Sequence, residues 1–287
     1  MADAKRARVT GLSNRILLIL IQLCSWPALF PVFRAFQKFS LHAMNRTSAG
    51  FLPVTQTGER LVVTRVLSTV GASREAVVLD CGANQGAYSE MVLAEADRNA
   101  VRARLHLFEP SSHACEHLRQ TFAARGANVE VHELAVSNAT GTASIYFAWP
   151  GAGGTSLSDQ TSHIQGTSGF GQHSEDVRTV ALDDFCEERG ITEIDLLKMD
   201  IEGAELRAME GATRLIARGA IRAVQFELGS AALPVGSSLY RFWVRYAADF
   251  DFHLVMAHGL RRIDDYAPDL ECFYAASTFV LLRKGRR

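Results

Sequence analysis

Four ionisable side chains crowd one short stretch of the chain, Leu196-Leu197-Lys198-Met199-Asp200-Ile201-Glu202-Gly203-Ala204-Glu205. The apolar residues before them read as a buried strand and the acidic residues behind as a helix start, so the charges fall at the strand's mouth. A two-residue repeat sends Lys198 and Asp200 to one side and Met199 to the other. Charges at the mouth of a buried strand need a ligand or each other. In the plain reading Lys198 pairs with a carboxylate, while Glu202 and Glu205 favour the helix N-terminus. In the chemical reading Asp200, Glu202 and Lys198 act on a substrate. Gln225-Phe226-Glu227 ends another apolar run in the same way, so Asp200 and Glu227 are expected to converge from neighbouring strand ends. Such a pair takes a proton directly or holds a divalent metal that orients a hydroxyl. No histidine cluster accompanies it, so the metal-free route is the expectation.

A second constellation follows the run AVVLD at residues 76–80: Asp80-Cys81-Gly82-Ala83-Asn84-Gln85-Gly86. Gly82 permits a sharp strand-to-helix turn, and its missing Cβ lets a ligand approach the backbone. Gly86 eases packing of the next helix. That helix offers free N–H groups to an anion, such as the carboxylate of a methionine moiety. Asp80 stands ready for the ammonium and sulfonium of the same moiety. The dinucleotide fingerprint G-x-G-x-x-G is absent, because Asn84 stands where its middle glycine belongs. The run LHLFE at 105–109 ends in Glu109-Pro110-Ser111, and an acidic side chain there accepts hydrogen bonds from a ribose diol. Ala135 and Val136, in the loop after a third run, are expected beside an adenine.

These groups need a scaffold, and the rest of the chain supplies one. Strands are predicted over Ala76–Asp80, Leu105–Glu109, Val129–Ala135, Ile194–Asp200, Ile221–Leu228, His253–Ala257 and Ser277–Leu282. Helices are predicted over Glu59–Val70, Ala87–Asp97, Ser111–Arg125, Ala204–Ala217 and Leu239–Ala248. Thr142–Ala148 and Val177–Val180 read as extra strands around a glycine- and serine-rich loop, Gly151–His173. Alternating strands and helices imply a mostly parallel sheet, here of seven strands, with helices on both faces. Ligands of such sheets sit beyond the carboxyl ends of the strands, where both constellations fall.

The chain has 287 residues, 48% of them hydrophobic and 21% charged, enough for one large α/β domain with an appendage. A formal net charge of −1 gives no global attraction for nucleic acid. The five cysteines are scattered without a C-x-x-C pair, which opposes a disulfide framework or zinc site and favours a reducing, cytoplasm-facing compartment. Residues 1–50 stand apart from the domain at 51–287. They contain an uncharged run, Ile16–Phe33, near the lower length limit of a bilayer-spanning helix but interrupted by Pro27 and Pro31. Three readings stay open for it: a helix packed on the domain or a second subunit, an interfacial helix making peripheral membrane contact over 16–39, and a true span or signal.

The motifs taken together resemble the FkbM-type methyltransferases. The resemblance runs through VVLDCGANQGAYSE (77–90), LFEPSS (107–112), HELAVSNATG (132–141), GGTSLS (153–158), VRTVALDDF (177–185), IDLLKMDIEGAELRAMEGA (194–212), QFELG (225–229) and FVLLRK (279–284). It implies a Rossmann-like class I fold and transfer of a methyl group from S-adenosylmethionine, usually to a hydroxyl of a sugar, glycan, polyketide or related metabolite. It marks Asp80, Gly82, Asn84, Gly86 and Glu109 as cofactor contacts and Asp200 and Glu202 as site residues. Two other classes remain in view: a nicotinamide-dependent oxidoreductase, opposed by the missing glycine and the absence of a Tyr-x-x-x-Lys pair, and a non-catalytic membrane-bound module, opposed by the intact strand-end carboxylates.

Overall fold

A computed structural model describes residues 11–45, 56–71, 74–147, 173–273 and 276–285. Most of the glycine-rich loop, GGTSLS included, lies outside them, as do residues 1–10, 286 and 287. Contacts divide the chain into two units, Met1–Met44 and Asn45–Arg287. The first contains α1 (Gly11–Cys24) and α2 (Phe30–Ala43), joined through a 3-10 turn at Pro27–Leu29 where proline interrupts the helical hydrogen bonding. No single helix among the described residues is long and apolar enough to cross a membrane.

The second unit is built on a sheet whose parallel half comprises β1 (Ala76–Cys81), β2 (Ala103–Phe108), β3 (Val129–His132), β7 (Ile194–Met199) and β8 (Ile221–Gly229). β9 (Phe250–Met256), β10 (Gly259–Ile263) and β11 (Ala276–Arg283) complete it as antiparallel neighbours, in the order β10-β9-β11-β8-β7-β1-β2-β3. The expected seven strands are thus eight. The added strand is the edge β10, whose exposed Arg261 and Arg262 hide it from a search for apolar runs. A second sheet, in the order β4-β6-β5, contains β4 (Ala135–Ser137), β5 (Gly141–Phe147) and β6 (His173–Ala181). The single strand expected over Val129–Ala135 is therefore two segments in different sheets.

Period two sorts the core. Val78 and Leu196 face α3 (Glu59–Leu67), α4 (Ala87–Arg98) and α5 (Ser112–Thr121), where they meet Val62, Val66, Val92 and Leu118. Leu79 and Leu197 face the opposite layer of α6 (Leu182–Glu188), α7 (Glu205–Glu210), α8 (Thr213–Ala217) and α9 (Leu239–Tyr246), with Phe185, Met209, Leu215 and Phe242. Both faces are covered, as a parallel sheet requires. The one helix expected over Ala204–Ala217 is broken between α7 and α8. A Cβ on Gly211 would overlap the Ser137 carbonyl oxygen, so the chain passes close to β4 there. Asp183 then accepts the Arg214 and Leu215 N–H groups at 2.7 and 2.9 Å, starting α8 as a separate helix.

Candidate active site

The sheet order reverses between β1 and β7. The carboxyl ends of β1, β2 and β7 open there onto a cleft of about 410 Å³. Gly82, Asn84, Glu109, Pro110, Ala135, Val136, Asp200 and Glu202 all line it. Asp80, Gly86, Lys198 and Glu227 are not among the lining residues. Glu227 lies half-buried on β8 opposite Thr278 of β11.

Asp80 and Lys198 form a buried pair behind the cleft. Lys198 Nζ is 3.2 Å from Asp80 Oδ1 and 3.7 Å from Asp200 Oδ2, and it donates to the Gly82 carbonyl at 3.2 Å. Ser89 Oγ donates to the other Asp80 oxygen at 2.7 Å. Burial pulls the lysine pKa down, but the Asp80, Asp200 and Glu59 carboxylates outweigh it and hold the ammonium charged. The pair thus ties the turn after β1 to β7. Gly82 has φ 80°, and a Cβ there would overlap the Asp200 carbonyl oxygen. Its smallness accommodates a neighbouring backbone first, and any larger residue at 82 displaces the Asp200 segment along with the turn.

Glu109 bridges two loops. Its Oε2 accepts the Asn84 N–H and its Oε1 the Ser111 N–H, both at 3.0 Å. Burial raises its pKa, and the two N–H groups pull in the opposite direction. A carboxylate has about four acceptor positions, and the two N–H groups take up two of them. Gly86, with φ 87°, begins α4, and a Cβ on it would press on Phe122 and Leu118, consistent with close helix packing.

The Asp200–Gly203 turn brings two carboxylates, Asp200 and Glu202, into the cleft wall. Glu202 is a non-glycine residue at φ 52°, a conformation that costs about 1–2 kcal/mol. Glu205, fully buried, maintains the turn: its Oε1 accepts Ile201 N–H at 3.1 Å and Gly203 N–H at 3.2 Å. Burial pushes Glu205 up to about 7. Burial, then the Asp200 and Glu205 carboxylates, pushes the half-buried Glu202 up to about 8. A carboxyl whose pKa is raised on folding stabilises the fold at low pH, and that contribution is lost as pH rises from the unfolded value toward the folded one. Glu205→Gln should therefore gain stability relative to the parent between about pH 5 and pH 8, measured by thermal unfolding at both. An unchanged difference across that range would contradict the raised value.

Several features were not legible in the sequence. Gln85, Phe108, His113, His117 and Ile145 also line the cleft. His113 and His117 sit one turn apart on α5, a spacing that could have signalled a shared face. Behind Lys198, Glu59 accepts from Thr57 Oγ at 2.7 Å and Gln225 Nε2 at 2.8 Å, while Tyr88 donates to Gln225 at 3.1 Å. Burial pushes Glu59 up to about 7. Among the described residues the one grouping of three metal-capable side chains is His106, Glu130 and His132, none of which lines the cleft. His106 Nδ1 and His132 Nε2 are 3.1 Å apart, burial holds both imidazoles below their ordinary pKa, and Arg189 Nη1 donates to Glu130 at 2.5 Å. The facing atoms of the grouping thus hold one another through that hydrogen bond and ion pair, while the buried His106 Nε2 has no hydrogen-bond partner among the described residues.

A family model described as the methyltransferase FkbM domain matches residues 80–254. No curated protein matches the chain. Among solved structures, the methyltransferase FkbM from Methylobacillus flagellatus KT is similar with a TM-score of 0.44 at 15% identity, covering 88% of this chain. This chain spans 60% of that one's length. An rRNA methylase from Streptococcus thermophilus gives a TM-score of 0.40 at 10% identity, over 80% of this chain and 96% of that one. The N-terminal domain of human METTL16 in complex with SAH gives 0.43 at 10% identity, over 80% and 70%.

Proposed function

Because this chain belongs to the FkbM methyltransferase family, we propose that it methylates a hydroxyl group of a small-molecule or glycan acceptor, a sugar, polyketide or related metabolite, using S-adenosylmethionine. When bound, that cofactor supplies an electrophilic methyl group on a sulfonium. The cleft suits it: Glu109 keeps acceptor positions for a ribose diol, Ala135 and Val136 give an apolar wall for an adenine, and the start of α4 lies beside Gly82 and Asn84 for a carboxylate.

The observation that carries the O-methylation reading is the pair of carboxylates in the cleft wall, Asp200 and Glu202. A hydroxyl must give up its proton as it is methylated, and a carboxylate in the cleft wall pushed up to about 8 by burial and its acidic neighbours is matched to take it. Glu202 is the group we assign to that proton. Asp200 lies 3.7 Å from the Lys198 ammonium, and its charge helps to keep Glu202 basic. Lys198 and Asp80 hold the cofactor turn, and Glu205 holds the turn that presents Glu202. Family membership sets aside the nicotinamide reading.

The test is cofactor-specific binding followed by turnover. Calorimetry should detect S-adenosylhomocysteine and no NAD(P)H, and a labelled-methyl assay over sugar, glycan and polyketide hydroxyls should reveal the acceptor. Label appearing only on nitrogen or carbon would sink the O-methylation reading. Glu109→Gln should weaken S-adenosylhomocysteine by about 1–3 kcal/mol, the worth of charge-assisted hydrogen bonds to a diol, with acceptor affinity unmoved. Wild-type cofactor affinity in that variant would reduce Glu109 to a brace between the two loops.

A further inference from the structure

The described part of the N-terminal unit has an exposure pattern that a folded protein in water does not sustain. Ile16, Leu17, Leu18, Ile19, Leu20 and Ile21 are each between 51% and 59% exposed. Successive residues of a helix step around its axis by about a third of a turn, so these six cover its whole circumference. A groove on a partner protein covers one stripe of a helix. A helix apolar on every side is buried in a large protein core or in lipid, and the basic flanks of this one favour lipid.

The shape and charge of the segment define how it enters. The uncharged run Ile16–Phe33 has a basic residue at each end, Arg15 and Arg34, and its middle is where the helices break. The two arms, Ile16–Cys24 and Pro27–Ala43, are bent by 83°. A straight span would place the basic ends on opposite sides of a bilayer, whereas this bend returns both to one side. At 1.5 Å per residue, with the arms inclined symmetrically, the vertex reaches about 7–9 Å below the basic ends, the depth of an interfacial helix. The break is prepared for a dry setting: Ser25 Oγ donates to the Ile21 carbonyl at 2.6 Å, Ser25 N–H to Gln22 O at 3.3 Å, and Leu29 N–H to Trp26 O at 2.8 Å. Beyond Phe33, α2 is two-sided. Arg34, Lys38 and His42 follow at four-residue spacing, and Val32, Phe36 and Phe39 occupy the other side. Between Asp3 and Glu59 the sequence holds seven Lys and Arg residues and no acidic one, although the whole chain carries −1.

We propose that residues 16–39 form a monotopic wedge that enters and leaves the same leaflet of an anionic phospholipid bilayer, with Trp26 at its vertex and the basic residues of α2 on the lipid phosphates. The full chain should float with phosphatidylcholine vesicles containing phosphatidylglycerol, and salt should weaken the association. Arg34→Gln with Lys38→Gln should lower partitioning onto those vesicles by roughly thirtyfold, at about 1 kcal/mol per basic residue near the surface. Leu18→Glu with Leu20→Glu should abolish it, with circular dichroism verifying that both variants fold. Trp26 emission, taken as the difference from Trp26→Phe, should be quenched more by lipids brominated near the headgroup than near the chain ends. Protease added outside the vesicles should remove an N-terminal tag. A chain that stays at the bottom of the gradient overturns the proposal. So does a protected tag, which means a span, or an oligomer that shields Ile16–Ile21 and leaves vesicles alone, which means a second copy covers the helix.

Discussion

Glu202→Gln should lower turnover by roughly two to four decades, the usual worth of general acid–base catalysis, while S-adenosylhomocysteine still binds. The side chain keeps its volume and its place in the turn, because Glu205 and not Glu202 accepts the Ile201 and Gly203 N–H groups. The parent gives a second readout. A base pushed up to about 8 is mostly protonated and idle at pH 6, so kcat should climb with pH and level off only above about 9. In Glu202→Gln the residual rate should lose that climb. Asp200→Asn should behave differently: with one negative neighbour gone the Glu202 pKa falls, and the rise moves to lower pH with a smaller loss of rate. Should Asp200→Asn be the dead variant and Glu202→Gln the live one, the proton belongs to Asp200. If EDTA abolishes the activity and Mg²⁺ or Mn²⁺ restores it, the carboxylates hold a metal, and neither acts as a simple base.

That Asp200 and Glu202 sit at a strand mouth was a matter of local pattern, because a strand's period and its end are local properties, whereas Glu227, expected to converge on Asp200, is not among the residues that line the cleft. Val77 to Asp80 and Ile194 to Met199 announced themselves as buried runs, and Gly82 and Gly86 marked the turn between β1 and α4. What pattern concealed were relations across the chain. Glu59 reads as an ordinary helix-start acid, yet it is bonded to Gln225, 166 residues away, and buried. Glu205 likewise matched the expected preference for a helix N-terminus, while its buried carboxylate in fact holds the preceding loop. The α7–α8 break could not be read from Gly211 alone, since it depends on the Ser137 carbonyl and the Asp183 side chain arriving from elsewhere. β10 was lost for the opposite reason: an edge strand with exposed arginines carries no apolar signal, and charged edges are how sheets avoid further pairing.

Lys198 separates the structural and chemical readings of the densest charge cluster. Its ammonium is buried against Asp80, which is itself fully inaccessible, so Lys198→Met strands a buried carboxylate. Breaking one side of such a pair costs about 3–5 kcal/mol, which for a domain of this size corresponds to roughly 6–20 °C in unfolding temperature. The Gly82 carbonyl loses its donor in the same variant, so the cofactor turn should loosen and S-adenosylhomocysteine binding should weaken along with stability. Adding Asp80→Asn to Lys198→Met removes the stranded charge, and the double variant should recover much of the lost stability without recovering full cofactor affinity. A lysine that worked on the acceptor would give another pattern: near-parental unfolding temperature, normal cofactor affinity and a collapse confined to turnover. The geometry favours the first pattern, because Lys198 Nζ spends its donors on Asp80 and the Gly82 carbonyl and lies outside the cleft wall.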